Sequence, residues 1–364
     1  MSRGRGARIQ VVGPGELNAG ELDVWREIRV KSGSPANPFM EPEFTLAVAR
    51  VRPSARVAVV REGGDPVAFL PFEAGRFGRG RAIGHGVSDC QGIIARPDAR
   101  VDARELLAAC GLSAWEFDNL EAGQDLFVPG AAGTFPSFVV DVGAGYEAYE
   151  SALRERSPKF FRTTAAKERK LARRAGEVRF VFDERDPAVL RQLMAWKSAQ
   201  YRRTGRRDRF AQEWISSLVR SLARTGAPGC SGVLSVLRVA GRPVAAHFGL
   251  RSRTQLSCWF PAYDPEFATY SPGLVLHLRM AEAAAAAGIG TLDLGRGAAE
   301  YKDALKTGEI PVYEGAALRP GAGAALYWLR REPSRRAHRF VRERPALTAF
   351  ARRALKQAGR LRGR

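Results

Sequence analysis

The chain has 364 residues, is 45% apolar and carries a formal charge of +20, a length that suits two packed cores better than one. It has no run of about 18 uncharged apolar residues, and the opening MSRGRGARIQVVGPG meets Gly and Pro before a signal-like core can form. Secretion and membrane spanning are therefore not expected, and a cytoplasmic protein is. Cys90, Cys110, Cys230 and Cys258 lie far apart with no CxxC pair, so reduced thiols are expected rather than a metal or redox centre.

The first half alternates strands and helices. RIQVV reads as a strand, LNAGELDVWREIRVKS as a helix, and NPFMEPEF as a turn punctuated by Asn37, Pro38 and Pro42. A helix near TLAVARV follows. RVAVVRE and PVAFLPFEAG, joined through Gly63 and Gly64, then form an antiparallel hairpin. Strands at GIIAR and SFVVDVG bracket the helix DARELLAACG, and a Gly-rich stretch ending at Gly145 closes a first domain, 1–145.

A second domain, 146–320, opens with the basic helix YESALRERSPKFFRTTAAKERKLARRAG, broken near Ser157 and Pro158 and stopped by Gly176. Residues 154–179 hold ten Arg or Lys against three Glu, and Lys159, Arg162, Lys167, Lys170 and Arg174 recur at helical spacing. Such a stripe suits phosphates as well as it suits an exposed face. The strand EVRFVFDE and the helices DPAVLRQLMAWKSAQYRRTG and AQEWISSLVRSLART come next. GVLSVLRV, PVAAHFGLRS and TQLSCWFPAY then make an antiparallel meander.

PGLVLHLRMAEAAAAAG is a helix started by Pro272 and stopped by Gly288, and TLDLG is a strand entering the loop RGAAEYK. The order of elements repeats that of the first half, as an ancient duplication would. Residues 321–364 are read as a basic helical tail, with thirteen Arg or Lys from residue 326 onward.

The strongest chemical signal is TYSPGLVLHLRMAEAAAAAG running into TLDLGRGAAEYK. A helix's first turn offers unpaired N–H groups and the positive end of its dipole, and Gly273 lets an anion approach the backbone. The run from AAHFGLRS to RGAAEYK, together with WKSAQYRRTGRRDRF upstream, resembles the acetyltransferase-like domain of the CelD/BcsL type. That type is associated with cellulose and other polysaccharide biosynthesis, lies within the GNAT superfamily and is distantly Fem-like. The resemblance spans roughly residues 155–315.

The resemblance implies tandem GNAT-like α/β domains with mixed, mainly antiparallel sheets, the first of them degenerate. It implies an acyltransferase that moves an acetyl or acyl group from acyl-CoA, with no metal, to an amine or hydroxyl of a sugar or cell-envelope precursor. Tyr270, Ser271, Pro272 and Gly273 would then cradle the pyrophosphate. The pantetheine would lie along SCWFPAY, bringing Trp259 and Tyr263 into the donor site. This loop has one glycine where the commoner GNAT pattern has several after an Arg or Gln, so another activated acyl donor stays open.

Transfer to an amine needs a proton acceptor, and the departing thiolate needs a donor. His247 in mid-strand, with Asp293, Glu300 and Tyr301 at a strand end and the following loop, are the candidate catalytic groups; each also has a structural reading as a core or surface residue. Lys197, Gln200 and Tyr201 on one helix face, with Arg206 and Lys302, are candidate acceptor-binding residues. His277 reads as a helix-face residue only.

Two rival functions remain. One is a Fem-type transferase using aminoacyl-tRNA held by the basic helix and tail; the other is a non-catalytic GNAT scaffold that docks on a polysaccharide synthase. The tail's alternating Arg and apolar residues would also suit an anionic inner membrane face.

Overall fold

The structure is a computed structural model and describes residues 8–31, 36–297, 299–325, 327 and 329. The first half contains strand β1 (Arg8–Val12), helices α1 (Ala19–Lys31) and α2 (Pro42–Ala49), strands β2 (Ala55–Glu62), β3 (Asp65–Ala74), β4 (Arg79–Ala82) and β5 (Ile94–Ala95), helix α3 (Ala103–Ala109), and strands β6 (Ala114–Leu120) and β7 (Ala131–Asp141). The second contains α4 (Tyr146–Arg156), α5 (Pro158–Ala175), β8 (Val178–Val181), α6 (Pro187–Arg203), α7 (Glu213–Leu222), β9 (Gly226–Ala227), β10 (Cys230–Val239), β11 (Arg242–Arg251), β12 (Gln255–Tyr263), α8 (Pro272–Ala286), β13 (Thr291–Arg296), α9 (Glu300–Leu305) and β14 (Gly308–Leu318).

Local chemistry explains most boundaries. Gly63 and Gly64 supply the positive φ of the β2–β3 turn, and Ala240 with Gly241 do the same between β10 and β11. Asp186 caps α6 by accepting the Ala188 N–H, with Pro187 in the first turn. Ser157 and Pro158 break the long basic helix into α4 and α5.

The fourteen strands among the described residues join one sheet, in the order β1-β2-β3-β4-β6-β14-β7-β13-β12-β11-β10-β8, with β5 beside β3 and β9 beside β10. The order is a palindrome of the two halves. Only β4–β6 and β12–β13 are parallel pairs of named strands. The last strand of each half sits with the other half: β7 pairs with β13, β14 pairs with β6, and the two pair with each other. The position near 145 thus falls between β7 and α4, while the sheet runs unbroken across it.

Strand side chains alternate between two covered faces, which is why the strands read as continuous apolar runs. Val57, Val59, Leu234 and Val236 face α1, α2, α6 and α7 in a core shared by both halves. Ala58 and Val60 face α3, while Val233 and Val239 face α4, α5 and α8. Phe39 and Phe44 of the first half stand 5.2 and 6.4 Å from Trp259 of the second, edge-on. Tyr327 packs on Ala114 and Ala316; residues 330–364, and with them most of the expected helical tail, lie outside the described residues.

Three expectations are corrected here. The strand at GIIAR shrinks to Ile94–Ala95, the loop after TLDLG contains α9, and β6, β4 and β14 were not foreseen. Among the described residues no helix is long and apolar enough to cross a membrane.

Candidate active site

The parallel neighbours β12 and β13 stay together for three pairs, Gln255 with Thr291, Leu256 with Leu292 and Ser257 with Asp293. Beyond Ser257 and Asp293 they part, as β12 continues to Tyr263 on β11 and β13 continues on β7. A bulge at Trp259, opposite Phe248 and Gly249, bends β12 where the gap opens. His247 holds this bulge: its Nε2 accepts the Trp259 N–H at 3.1 Å. The Trp259 indole donates to the Val87 carbonyl at 2.7 Å, tying the bulge to the first half.

In the first half the corresponding opening between β4 and β6 is filled by the chain itself. Gln91 bridges to Leu120, its side-chain oxygen accepts the N–H groups of Asp118 and Asn119 at 2.9 and 3.1 Å, and its amide donates to Asp118 at 2.6 Å. The second half's gap has no such plug and opens into a cavity of about 780 Å³. The cavity is walled by β12 from Cys258 to Tyr263, the end of β13, α6 and its following loop, the start of α8, and α9.

At one end of the cavity is the α8 N-terminus. Ser271 takes a left-handed φ of 50°, turning the chain from a 3₁₀ segment, Pro265–Tyr270, into the helix. Lys167 of the basic α5 donates to the Ser271 hydroxyl at 2.7 Å, adding a cation to the positive end of the helix. A Cβ built on Gly273 would meet only Tyr263 Cδ1, at 3.5 Å, so the space in front of this backbone is open. A splayed strand pair leading to an open helix start, with a lysine beside it, fits the arm and pyrophosphate of coenzyme A.

Ten of the fifteen residues singled out from sequence line this cavity: Tyr301, Trp259, Tyr263, Ser271, Gly273, Lys197, Gln200, Tyr201, Arg206 and Lys302. Lys197 is held by the Pro261 carbonyl at 2.8 Å, and burial, helped by Arg206, Arg209 and Lys302, lowers its pKa to about 8. Lys302 donates to the carbonyls of Gly295 and Arg296 at 2.8 and 3.2 Å; burial pushes its ammonium down, opposed by Asp89 and Asp293. Burial raises the Tyr301 phenol to about 12, so it stays protonated and able to donate.

The other five lie elsewhere. His247 is fully buried, its Nε2 lone pair is taken by Trp259, and burial holds it well below the usual imidazole range, so the base role expected for it has no free nitrogen in the cavity. Asp293 is buried beneath the floor, accepting from the Ser137 hydroxyl at 2.6 Å and the Gly295 N–H at 2.9 Å; burial raises its carboxyl, against those two donors and Lys302. Glu300 is exposed on α9 and points no carboxylate into the lining. Tyr270 packs against the core, and Pro272 is buried in the first turn of α8.

Sequence reading missed Asp89, Arg209, Cys258 and His277, all in the lining. His277 has a clear local cause. Four residues after Gly273, its Nδ1 lies 2.6 Å from the Gly273 carbonyl, which can only accept, so Nδ1 carries the proton and Nε2 the lone pair. Burial lowers its pKa, leaving the neutral ring 5.2 Å from Tyr301, centre to centre. Asp89 had no motif to mark it. It comes from the first-half segment that carries the Gln91 plug, and burial with Asp293 nearby raises it to about 7.

A sheet splayed at a parallel pair beside an open helix start, present once open and once filled, gives a tandem GNAT-like fold. Residues 159–303 match the family model described as an acetyltransferase (GNAT) domain. No curated protein matches the chain. Among solved structures the chain is similar to FemX at 10% identity, covering 88% of this chain and 99% of that one, with a TM-score of 0.57. It is similar to the tandem GNAT protein from the clavulanic acid biosynthesis pathway at 12% identity, covering 87% and 100%, TM-score 0.51. A third likeness is to a domain from Agrobacterium fabrum described as the C-terminal part of a lysylphosphatidylglycerol synthetase, at 16% identity over 86% and 96%, TM-score 0.52. At these identities the likeness is one of fold.

Proposed function

We propose that the chain transfers an acyl group from a thioester such as acetyl-CoA to an amine or hydroxyl of a sugar or cell-envelope precursor. The observation that carries this reading is the gap beyond Ser257 and Asp293, opening beside the Gly273 backbone. A bound acyl-CoA would place its phosphates at the α8 start and its thioester near the Trp259 bulge. Trp259, Tyr263, Ser271 and Gly273 would hold it.

The acceptor would enter past Lys197, Gln200, Tyr201 and Arg206, and Tyr301 would protonate the leaving thiolate. Arg206 and Arg209 make no ion pair among the described residues, although Asp89 lies in electrostatic reach of Arg209, and their charge supports an acceptor bearing negative charge. Polysaccharide and envelope precursors often carry phosphate or uronate groups, so this fits the CelD-type resemblance.

The same arginines favour a second reading, aminoacyl-tRNA as donor. Thermal-shift measurements with coenzyme A, acetyl-CoA and bulk tRNA at low and high salt decide between them. Stabilisation by the coenzyme, little affected by salt, supports the first reading; stabilisation by tRNA alone, lost in salt, replaces it with the second.

A further inference from the structure

Among the described residues four side chains in the cavity could in principle accept a proton. Lys197, lowered to about 8, is held on the Pro261 carbonyl, His277 donates from Nδ1 and keeps Nε2 free, Cys258 is a buried thiol pushed far up by burial, and Asp89 is the one carboxylate among the described lining residues. Asp89 differs from the others in where it comes from. It is carried by the first half of the chain, on the segment whose Gln91 fills that half's own opening.

That segment is firmly placed. The Ser88 hydroxyl donates to the Cys90 carbonyl at 2.7 Å, Asn119 donates to the Ser88 carbonyl at 3.0 Å, and the neighbouring Val87 carbonyl accepts from Trp259 of the bulge. Asp89 itself makes no hydrogen bond or ion pair among the described residues. Its carboxylate lies against the end of β13, since a Cβ on Gly295 would sit 3.5 Å from Asp89 Oδ2. A carboxylate so anchored, with Arg209 and Lys302 in electrostatic reach but no hydrogen bond or close ion pair among the described residues, is placed for a group that arrives from outside.

Resting on the acyl-transfer reading, we infer that Asp89 takes the proton from the acceptor, so that the first half of the tandem supplies the base for chemistry in the second. The acceptor nitrogen or oxygen attacks the thioester carbonyl carbon, and the carbon–sulfur bond breaks. The proton lost by the acceptor moves to the Asp89 carboxylate and later to solvent. The thiolate is protonated by Tyr301, which recovers its proton from water. Atoms balance as acyl thioester plus acceptor giving acylated acceptor plus free thiol.

The groups around Asp89 suit this task. Asp293 of β13 and Asp118 of β6 oppose its ionisation, Arg209 after α6 and Lys302 of α9 favour it, and Tyr201 and Cys258 stand across the cavity. Burial and Asp293 dominate, bringing the carboxyl to about 7, where it gives up and regains a proton readily at neutral pH. The role would make the first half part of the site, since Asp89 is the carboxylate among the described lining residues.

Two measurements on the full chain test it. Thiol release from acetyl-CoA is followed across pH for the parent, Asp89→Asn and Asp89→Glu, first with water and then with glucosamine as acceptor. Asn is expected to lower turnover about 100-fold with stabilisation by the coenzyme retained, to remove the rising limb near pH 7, and Glu is expected to restore part of the rate. An Asn variant with the parent's rate and the same limb would overturn the role of Asp89.

The second measurement needs no donor: carboxyl resonances of carbon-13 aspartate-labelled protein are titrated in parent and Asn variant. One resonance absent from the variant should titrate near pH 7. If the resonance lost in the variant is already fully ionised at pH 5, Asp89 is not the base. Should the parent neither bind acetyl-CoA nor release thiol, the donor assignment falls and the carboxyl titration alone decides Asp89.

Discussion

Replacing Gly273 separates the shape of the donor site from the stability of the fold. A Cβ at this position meets only Tyr263 Cδ1, at 3.5 Å, which is ordinary contact, and the residue sits in the first turn of α8. Gly273→Ala should therefore fold, gaining up to about 1 kcal/mol from the smaller backbone entropy loss. Gly273→Val adds two methyl groups in front of the N–H that would receive a phosphate oxygen. Loss of that approach should weaken coenzyme A by about 100-fold, or about 2.7 kcal/mol.

In a melting assay with coenzyme A at about 100 times the parent's Kd, the parent gains about 2.7 kcal/mol and the variant about 0.4. For a chain of this size these correspond to shifts of about 3–4 °C and under 1 °C. If folded Gly273→Val is shifted by the coenzyme as much as the parent, the phosphates do not lie on this turn.

Other outcomes follow from the cavity's charges and the swapped sheet. Asp89 is raised in the folded state to about 7, so the stability it retains at low pH is lost as pH rises through 7. Asp89→Asn should match the parent near pH 4 and be more stable at pH 8 by on the order of 2 kcal/mol, less than the full shift because the mouth is open to solvent. Lys197, lowered to about 8, is charged at a cost below that pH. Lys197→Met should be more stable than the parent at pH 7, with the difference shrinking between pH 8 and 10.5 in urea unfolding.

His247→Ala leaves the Trp259 N–H buried without an acceptor and should lose about 1–3 kcal/mol, with lower turnover but an unmoved pH profile. Because β14 fills the place between β6 and β7, deleting residues 308–318 should unfold the first half as well as the second, seen as loss of both tryptophan and far-UV signals.

The periodicity of the sequence revealed the helices other than α9, the two glycine hairpins and the β10–β12 meander because each is set by neighbours in the chain. The start of α8 was legible for the same reason: Ser271, Pro272 and Gly273 carry ordinary helix-start chemistry. The exchange of β7 and β14 was not, since pairing between strands some 170 residues apart leaves no local mark; Gly308 lies opposite Val139. Asp89 was hidden for a related cause. Its segment, GHGVSDCQG, belongs by sequence to the first half, and only the sheet's palindrome brings it to the second.

His247 misled because a histidine in mid-strand carries the same letter whether its lone pair faces a substrate or a bulge. His277 escaped in the opposite sense, as its place on an apolar helix gives no sign that the Gly273 carbonyl fixes its tautomer.

A structure determined with acetyl-CoA bound tests the central claim most directly. The pantetheine is expected between β12 and β13 beyond Ser257 and Asp293, with the pyrophosphate on the Gly273 N–H and the thioester beside the Trp259 bulge. Coenzyme found outside the gap, or absent from it at saturating concentration with the gap closed by side chains, would contradict the account.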